Sequence, residues 1–327
     1  MAALPAATAL GITFPCSRPP SELIGFAVEA ERAGYDELWI IEDCFWAGGV
    51  GAAAAALART ERIRVGIGIL PAVMRNAATT AMEISGLAGL FPGRVDVGLG
   101  HGVGTWMQQI GAKPASPLTA LREHLVAVRA LLAGQEVTTH GRYVALDAVR
   151  LGHVPASVPP ILTGVRGPKS LRLAGESADG TVLAEPAAPA YIREARRQID
   201  AGRAGAERTD PYRLVAYNRI SVADDDLAAI AAVRPVLAAS IDPSQRAQLA
   251  PLGFGDELLD LAARTTDPAV LAAALPAEWV RELAIVGAPS TCAERIVETY
   301  AAGADSVVLV PLPGAEAETL QLARVLK

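Results

Sequence analysis

Eight apolar segments separated by helical stretches are the feature that most constrains the fold of this 327-residue chain. Each segment is a continuous apolar run, which is typical of strands buried on both faces of a parallel sheet. Between the first two segments, Leu23, Ala27, Ala30 and Ala33 fall on one helical stripe, and Gly34 ends the helix. The segments cover residues 9–14, 37–43, 63–70, 94–100, 159–165, 180–186, 213–222 and 306–312.

Repeated strand–helix units predict parallel strands joined by right-handed crossovers. Eight such units favour a closed barrel over the alternative, a doubly wound sheet, which rarely contains so many strands in one domain. We therefore predict an α/β protein whose residues 1–327 form a single (β/α)8 TIM barrel domain.

Two connections in this pattern are much longer than the others. The fourth segment ends at residue 100 and the fifth begins at 159, while the seventh ends at 222 and the eighth begins at 306. Long insertions in TIM barrels gather in the βα loops of the active face. We therefore expect insertions after strands 4 and 7, over residues 103–158 and 224–283. The first contains a helix and a short extended excursion. We expect a homodimer, and we expect both insertions to decorate the barrel or to form the dimer contact.

The composition excludes several classes of partner. A net charge of −6 argues against nucleic acid or an anionic membrane surface. No apolar run reaches the roughly 18 residues of a membrane span, and the N-terminus lacks the basic segment of a signal peptide. Cys16, Cys44 and Cys292 are widely spaced and predict neither a disulfide framework nor a zinc site. We expect a cytoplasmic protein that binds a small-molecule substrate.

The stretch VDVGLGHGVGTW, residues 95–106, has glycine at every second position of its central part and includes His101. The dinucleotide fingerprint G-x-G-x-x-G is incomplete here, because Val103 or Thr105 stands where its third glycine is required. Glycine carries no side chain and lets other atoms approach the backbone. The motif therefore predicts a strand exit that other backbone approaches closely.

The stretch TGVRGPKS, residues 163–170, follows the fifth segment and opens a helix at Pro168. Its two glycines allow backbone N–H groups to converge, and Arg166 and Lys169 add positive charge. These features favour a phosphate seat at the helix N-terminus, with an ordinary turn as the alternative.

Other catalytic patterns are weak in this chain. Glu42 and Asp43 end the second segment, and adjacent strand residues point to opposite faces, so we do not expect these two carboxyl groups to share a proton. The histidines at 101, 124, 140 and 153 lack the spacing of metal ligands, and no G-x-S-x-G motif is present. We therefore predict an organic cofactor and no metal.

Taken in their order along the chain, the stretches at the strand exits resemble those of the bacterial luciferase-like family of flavin and deazaflavin oxidoreductases. The resemblance covers about residues 9–312. The resemblance implies a (β/α)8 barrel that holds FMN or coenzyme F420 at its C-terminal face. The chain is more similar to the F420 branch, which includes methylenetetrahydromethanopterin reductases, so F420 is the expected cofactor and FMN the alternative. The stretches that carry the resemblance are AERAGYDELWIIED, RIRVGIGILPAVMRNAATTAMEISGLAGLFPGRVDVGLGHG, PPILTGVRGPKSLRLAGESADG and AIVGAPSTCAERIVETYAAGADSVVLV.

The resemblance also implies roles for individual residues. The bond between Gly68 and Ile69 matches a cis peptide behind the cofactor ring, and Asp43 matches an acid near the ring. The residues implied to bind the cofactor are Asp43, Gly68, Ile69, Gly100, His101, Gly102, Thr163, Gly164, Val165, Arg166, Gly167 and Pro168.

Two positions depart from the sugar-phosphate dehydrogenases of this family. Cys44 stands where those members have a catalytic histidine, and Val103 stands where they have an acid, which argues against that activity. Trp46 resembles the family's active-site tryptophan. Our catalytic candidates are Asp43, His101 and Cys44, and the candidates for substrate binding are Trp46, Val103, Trp106, Glu185 and Asn218.

These observations leave three hypotheses for function. The first is an F420-dependent oxidoreductase that transfers hydride from the reduced deazaflavin to an imine, alkene or carbonyl. The second is an FMN-dependent monooxygenase of the same barrel. The third is a cofactor-free binding homologue, which the departures at Cys44 and Val103 make conceivable.

Overall fold

The computed structural model describes residues 8–326, which form a closed barrel of eight parallel strands surrounded by helices. The order around the barrel is β1-β2-β3-β4-β7-β8-β9-β11, and β11 pairs with β1 to close it. The predicted (β/α)8 TIM barrel is therefore confirmed. The strands are β1 (Ala9–Phe14), β2 (Glu37–Ile40), β3 (Arg64–Pro71), β4 (Val95–Gly100), β5 (Val137–His140), β6 (Ala145–Val149), β7 (Ile161–Gly164), β8 (Gly180–Leu183), β9 (Arg213–Val222), β10 (Ile285–Gly287) and β11 (Ser306–Pro311).

Each of the eight segments predicted as strands contributes one barrel strand, although two end early. β2 stops at Ile40 and β8 at Leu183, three residues before the predicted ends. The sequence did not predict β10, because its three residues are too short to stand out as an apolar run. β10 pairs only with the end of β9, outside the closed barrel.

The helices cover the outside of the barrel, and α1 shows why they form. Its buried residues include Leu23, Ala27, Ala30 and Ala33, as the helical stripe predicts, and Gly34 ends it with a φ of 99°. The helices are α1 (Leu23–Ala33), α2 (Gly49–Arg59), α3 (Ala77–Leu90), α4 (Gly104–Gln109), α5 (Pro117–Leu132), α6 (Pro168–Ser177), α7 (Pro189–Gly205), α8 (Asp226–Ser240), α9 (Arg246–Leu249), α10 (Gly255–Arg264), α11 (Pro268–Ala274), α12 (Ala277–Leu283), α13 (Pro289–Ala301) and α14 (Glu316–Leu326), with 3-10 turns at Pro20–Glu22, Ala72–Met74 and Pro243–Gln245.

The two long connections contain most of the additional elements. The β4–β7 connection holds α4, α5 and an antiparallel hairpin of β5 and β6, which is the extended excursion expected from the sequence. The β9–β11 connection holds α8 to α13 and β10, and α8 to α12 pack around a hydrophobic cluster of their own. Residues 1–7 of the predicted single domain lie outside the described residues.

No single helix within residues 8–326 has both the length and the apolar composition needed to cross a membrane. Helix α8 and the segment Pro243–Leu249 meet those limits only when taken together, and they are bent by 98° relative to each other.

Side chains fill the inside of the barrel in layers. The central layer is apolar and includes Trp39, whose ring meets Tyr217 edge to face with centroids 5.7 Å apart. Gly66 makes room for this ring, because a Cβ atom at Gly66 would lie 2.4 Å from it. The other members of the layer are Leu162, Val182, Val215, Val308 and Val310.

Charged groups seal the N-terminal end of the barrel. Arg213 donates to Asp96 at 2.8 Å and also pairs with Glu37, while Arg64 pairs with Asp96. The second oxygen of Glu37 accepts from the Trp39 indole at 2.8 Å. Both carboxylates are fully enclosed, so their charge depends on these partners.

Replacing Arg213 with Met should lower the free energy of unfolding by about 3–5 kcal/mol, because two enclosed carboxylates lose a shared partner. Urea denaturation monitored by circular dichroism measures the change. Arg32→Met is the control, since Arg32 pairs with Glu29 on the exposed surface and should shift stability by at most about 0.5 kcal/mol. Similar effects in the two variants would contradict a structural role for the charged seal.

Candidate active site

Functional side chains collect where the barrel strands end, as is usual in TIM barrels. The loops after β1, β2, β4, β7, β8 and β9 and the last part of β3 line one mouth. The residues in these loops and strand ends include Cys16, Glu42, Asp43, Cys44, Ile69, His101, Arg166, Glu185, Asn218 and Arg219.

The centre of the mouth is formed by Ile69. The Gly68–Ile69 peptide is cis, in agreement with the resemblance, and the pairing of β3 with β4 shifts register there. The Ile69 side chain lies over Gly98, Gly100 and Gly164, where added Cβ atoms would approach it to 2.8, 2.9 and 2.5 Å. These contacts leave no room for a side chain on the three glycines.

This packing explains the glycine-rich stretch after β4. The predicted close approach does occur, but most of the approaching atoms belong to the side chain of Ile69. Glycine is favoured at position 102 for a different reason, because the φ of 69° there disfavours residues with a Cβ atom. Among the described residues, none would lie within 4 Å of a Cβ atom at Gly104, so that glycine is not needed for space.

Two ionisable groups, the Cys16 thiol and the Asp43 carboxyl, lie beside this centre. The Cys16 thiol donates to Asp43 Oδ2 across 3.7 Å. Burial, the Asp43 charge and this hydrogen bond raise the pKa of Cys16 to about 11. Burial and the Glu185 charge raise the pKa of Asp43, and the thiol hydrogen bond only partly opposes them. Glu185 itself pairs with Arg219 at 3.0 Å.

Glu42 faces away from this pair and fixes the loop that carries it. Glu42 is 6% exposed, accepts from Arg75 Nη2 at 2.7 Å and from the Gly49 N–H at 2.6 Å. β2 ends at Ile40, so Glu42 and Asp43 do not lie in a strand. The prediction that strand alternation separates them is therefore wrong. Loop geometry gives the two carboxyl groups different partners.

Cys44 is a buried wall residue. It is 5% exposed, and its thiol contacts the Met74 sulfur at 3.6 Å. Burial and the charges of Glu42 and Asp43 raise its pKa, so the thiol stays protonated at neutral pH. A protonated thiol against a thioether suits packing better than nucleophilic attack.

An apolar rim surrounds the mouth on the side of β2, β3 and β4. Phe45 and Trp46 are 65% and 53% exposed, and Val103 is 44% exposed. Trp46 meets Trp106 edge to face with centroids 6.4 Å apart. The structure thus brings together three of the predicted substrate-binding residues, Trp46, Val103 and Trp106, in one apolar surface.

His101 lies between this rim and the loop at residues 163–170. Its Nε2 is 3.0 Å from the Ser170 hydroxyl in the first turn of α6. Its Nδ1 is buried and has no hydrogen-bond partner in the described part of the chain. Burial lowers the pKa of His101, and the nearby Pro117 carbonyl offsets this only in part. The neutral imidazole thus lies between the Ser170 hydroxyl and the Pro117 carbonyl.

The structure does not bring every predicted residue to the surface of the mouth. Thr163 is fully buried and its hydroxyl faces Thr181 at 3.3 Å, while Val165 is 4% exposed. Asn218 is also 4% exposed and donates to the Ala187 carbonyl. Their side chains serve packing and hydrogen bonding within the barrel wall, so a contact to cofactor or substrate is left to their backbone.

Some residues of the site were missed by sequence reasoning. Cys16 follows β1 just as Asp43 follows β2, so attention to the first strand exit could have found it. Ser170, Tyr217 and Arg219 gave no comparable signal, because their roles depend on partners far away in the sequence. The Tyr217 hydroxyl is enclosed beneath Gly68 without a hydrogen-bond partner among residues 8–326.

No three histidine, cysteine or acidic side chains in residues 8–326 lie together as a metal site would require.

Gly164→Ala should lower the free energy of unfolding by about 1–3 kcal/mol, because its Cβ would overlap Ile69. In an Ile69→Ala background the same change should cost at least about 1 kcal/mol less, since the obstructing atoms are gone. Gly104→Ala is the control, with a change within about 0.5 kcal/mol. A double-mutant cycle in urea decides the matter, and a Gly164→Ala penalty independent of Ile69 would refute this packing.

Stability should fall with acidity partly because of His101. Its pKa lies below the ordinary 6.5 in the folded state, so below that pH the unfolded chain binds more protons at this site. The free energy of unfolding therefore decreases as the pH drops from about 7.5 to about 5.5, and less steeply in His101→Gln. Urea titrations of both proteins at the two pH values measure this, and equal slopes would contradict it.

Comparison with known proteins agrees with this geometry. The 5,10-methylenetetrahydromethanopterin reductase of Methanolobus tindarius is 31% identical over 315 residues, covering 91% of this chain and 92% of that protein. The reductase of the same description from Archaeoglobus fulgidus is 32% identical over 313 residues, with coverage of 91% and 92%. The solved structure of the coenzyme F420-dependent tetrahydromethanopterin reductase from Methanopyrus kandleri has the same fold, with a TM-score of 0.85, 24% identity and 97% coverage of both chains. Residues 4–306 also match the sequence profile of the family described as luciferase-like monooxygenase, and the chain belongs to that family.

Proposed function

We propose that this protein is a coenzyme F420-dependent oxidoreductase that reduces an imine, alkene or carbonyl group of a small apolar substrate. The observation that carries this proposal is the barrel mouth, where Ile69 over bare glycine backbone adjoins an apolar rim and the pair of Cys16 and Asp43. The relatives support the choice of coenzyme, because one with the same fold is described as F420-dependent and two more are reductases of the same type.

The donor groups next to the mouth fit the anionic part of F420. Helix α6 begins after Gly167 without a side-chain cap, so the N–H groups of its first turn are available to a phosphate. Arg166 adds a guanidinium that donates to the Ser244 hydroxyl and has no carboxylate within ion-pair distance among the described residues. These groups would hold the phosphate, and Ile69 would support the ring.

Reduced F420, when bound, supplies a hydride. Reduction of an imine, alkene or carbonyl also requires a proton, which the protonated Asp43 carboxyl would donate while the Cys16 thiol keeps its hydrogen bond to Oδ2. Because burial and the Glu185 charge raise the pKa of Asp43, its carboxyl retains a proton closer to neutral pH than an exposed carboxyl would. We assign Asp43 as the donor to the substrate and Cys16 as the residue that positions it.

The rim favours a substrate without charge. Phe45, Trp46 and Val103 expose apolar surface around the mouth, and the neighbouring Cys44 thiol is protonated. A large exposed apolar surface at a concave site is typical of binding regions. The ion pair of Glu185 with Arg219 leaves little charge to bind a sugar phosphate.

Titration with F420 and with FMN tests the proposal. Binding of F420 should raise the melting temperature, since a ligand at one hundred times its Kd stabilises the folded state by about 2.7 kcal/mol. Reduced F420 should then be oxidised in the presence of apolar imines, enones or ketones, which the absorbance of the deazaflavin reports.

Three outcomes separate the alternatives. Saturable binding of F420 without FMN binding supports the proposal. Binding of FMN with consumption of oxygen would instead identify a flavin monooxygenase. A melting temperature unchanged by either cofactor would favour a cofactor-free homologue.

A further inference from the structure

A cavity of about 660 Å³ lies outside the barrel wall, next to the loop that precedes α6. It is open to solvent and is bordered by α6, α7 and the segment 244–251, which belongs to the long β9–β11 connection. Arg166 lines this cavity and also belongs to the loop assigned above to the cofactor. The volume is in the usual range for sites that bind small molecules, roughly 300–1,000 Å³.

The cavity has an apolar floor. Leu171 and Tyr191 each have 1% exposure and form its inner side, while Ala250 and Pro251 contribute from the opposite side. A ligand in contact with these groups would bury hydrocarbon or another apolar body.

Positive charge lies at the edge of this floor. Arg166 donates to the Ser244 hydroxyl at 3.2 Å, and within residues 8–326 no carboxylate lies close enough to form an ion pair with it. The Tyr191 hydroxyl donates to the Arg166 carbonyl at 2.9 Å and so fixes the backbone of the loop. Arg246 is a second cation, and its pair with Asp256 is exposed and therefore weak.

One carboxylate, that of Glu194, also lines the cavity. Both of its oxygens already accept hydrogen bonds from Arg197, and one accepts from Gln198 as well. Glu194 is thus neutralised by a neighbour outside the cavity, and the charge of Arg166 stays uncompensated.

We propose that this cavity binds an acid group, carboxylate or phosphate, carried on an apolar stem. Arg166 and Arg246 hold the acid, and the Leu171–Tyr191 floor holds the stem. Two sources share this chemistry: the distal acidic part of the cofactor bound at the mouth, which rests on the proposed function, and a separate small organic acid.

Two cavity variants and two matched controls test this. Ala250→Trp fills the cavity from an exposed position, and Arg246→Ala removes one cation. Ala273→Trp and Arg264→Ala make the same changes at exposed positions that do not line the cavity. Calorimetric titration gives the Kd of F420 and of octanoate, a carboxylate on an apolar stem, and thermal melting checks that each variant is folded.

If the distal part of F420 occupies the cavity, its Kd rises about tenfold in both cavity variants and stays unchanged in both controls. If a separate acid occupies it, octanoate binds to the wild type, the cavity variants weaken it about tenfold, and the Kd of F420 is unchanged.

The proposal is overturned if octanoate does not bind and all five proteins bind F420 equally, and this result leaves the proposed function intact. If the wild type binds no F420, the proposed function fails, and the octanoate titration alone tests the cavity. Octanoate binding that the cavity variants weaken supports the site, and the absence of octanoate binding overturns it.

Discussion

The packing of Ile69 against three bare glycines is the contact on which the barrel mouth depends. Strands β3, β4 and β7 meet around one branched side chain, and Gly98, Gly100 and Gly164 each leave it space. Protein interiors are packed about as densely as organic crystals, so an extra methyl group cannot be added without displacing its neighbours. The position of Ile69 therefore determines the surface on which a flat ring can rest.

The two ends of the barrel show opposite electrostatics. At the N-terminal end, Glu37 and Asp96 are enclosed but paired with arginines. At the mouth, burial and the Glu185 charge make Asp43 hold its proton more tightly than an exposed carboxyl. A buried carboxyl with a raised pKa at the C-terminal end of a barrel is typical of a functional site.

The sequence predicted the barrel well because apolar runs reflect burial on both faces, a local property of each strand. It predicted the site less completely. The glycines after β4 indicated a close approach, yet nothing near them in sequence identifies Ile69 as the main approaching group. Strand alternation predicts that the Glu42 and Asp43 side chains point to opposite faces, but both residues lie in a loop. The contact of His101 with Ser170 joins residues 69 positions apart and had no local signal.

The sequence by itself determined the eight-fold strand–helix order and the glycine-rich strand exit, because these follow from the pattern of residues along the chain. The resemblance to the luciferase-like family rests on four stretches that match that family in order. Only the tertiary structure decided that Cys16 donates to Asp43, that Thr163 and Asn218 are enclosed in the wall, and that Arg166 lines a cavity beside α6 with no ion-pair partner within residues 8–326. These features arise when barrel closure brings strand ends from distant parts of the chain together, and burial then sets the proton affinity and the partners of each group.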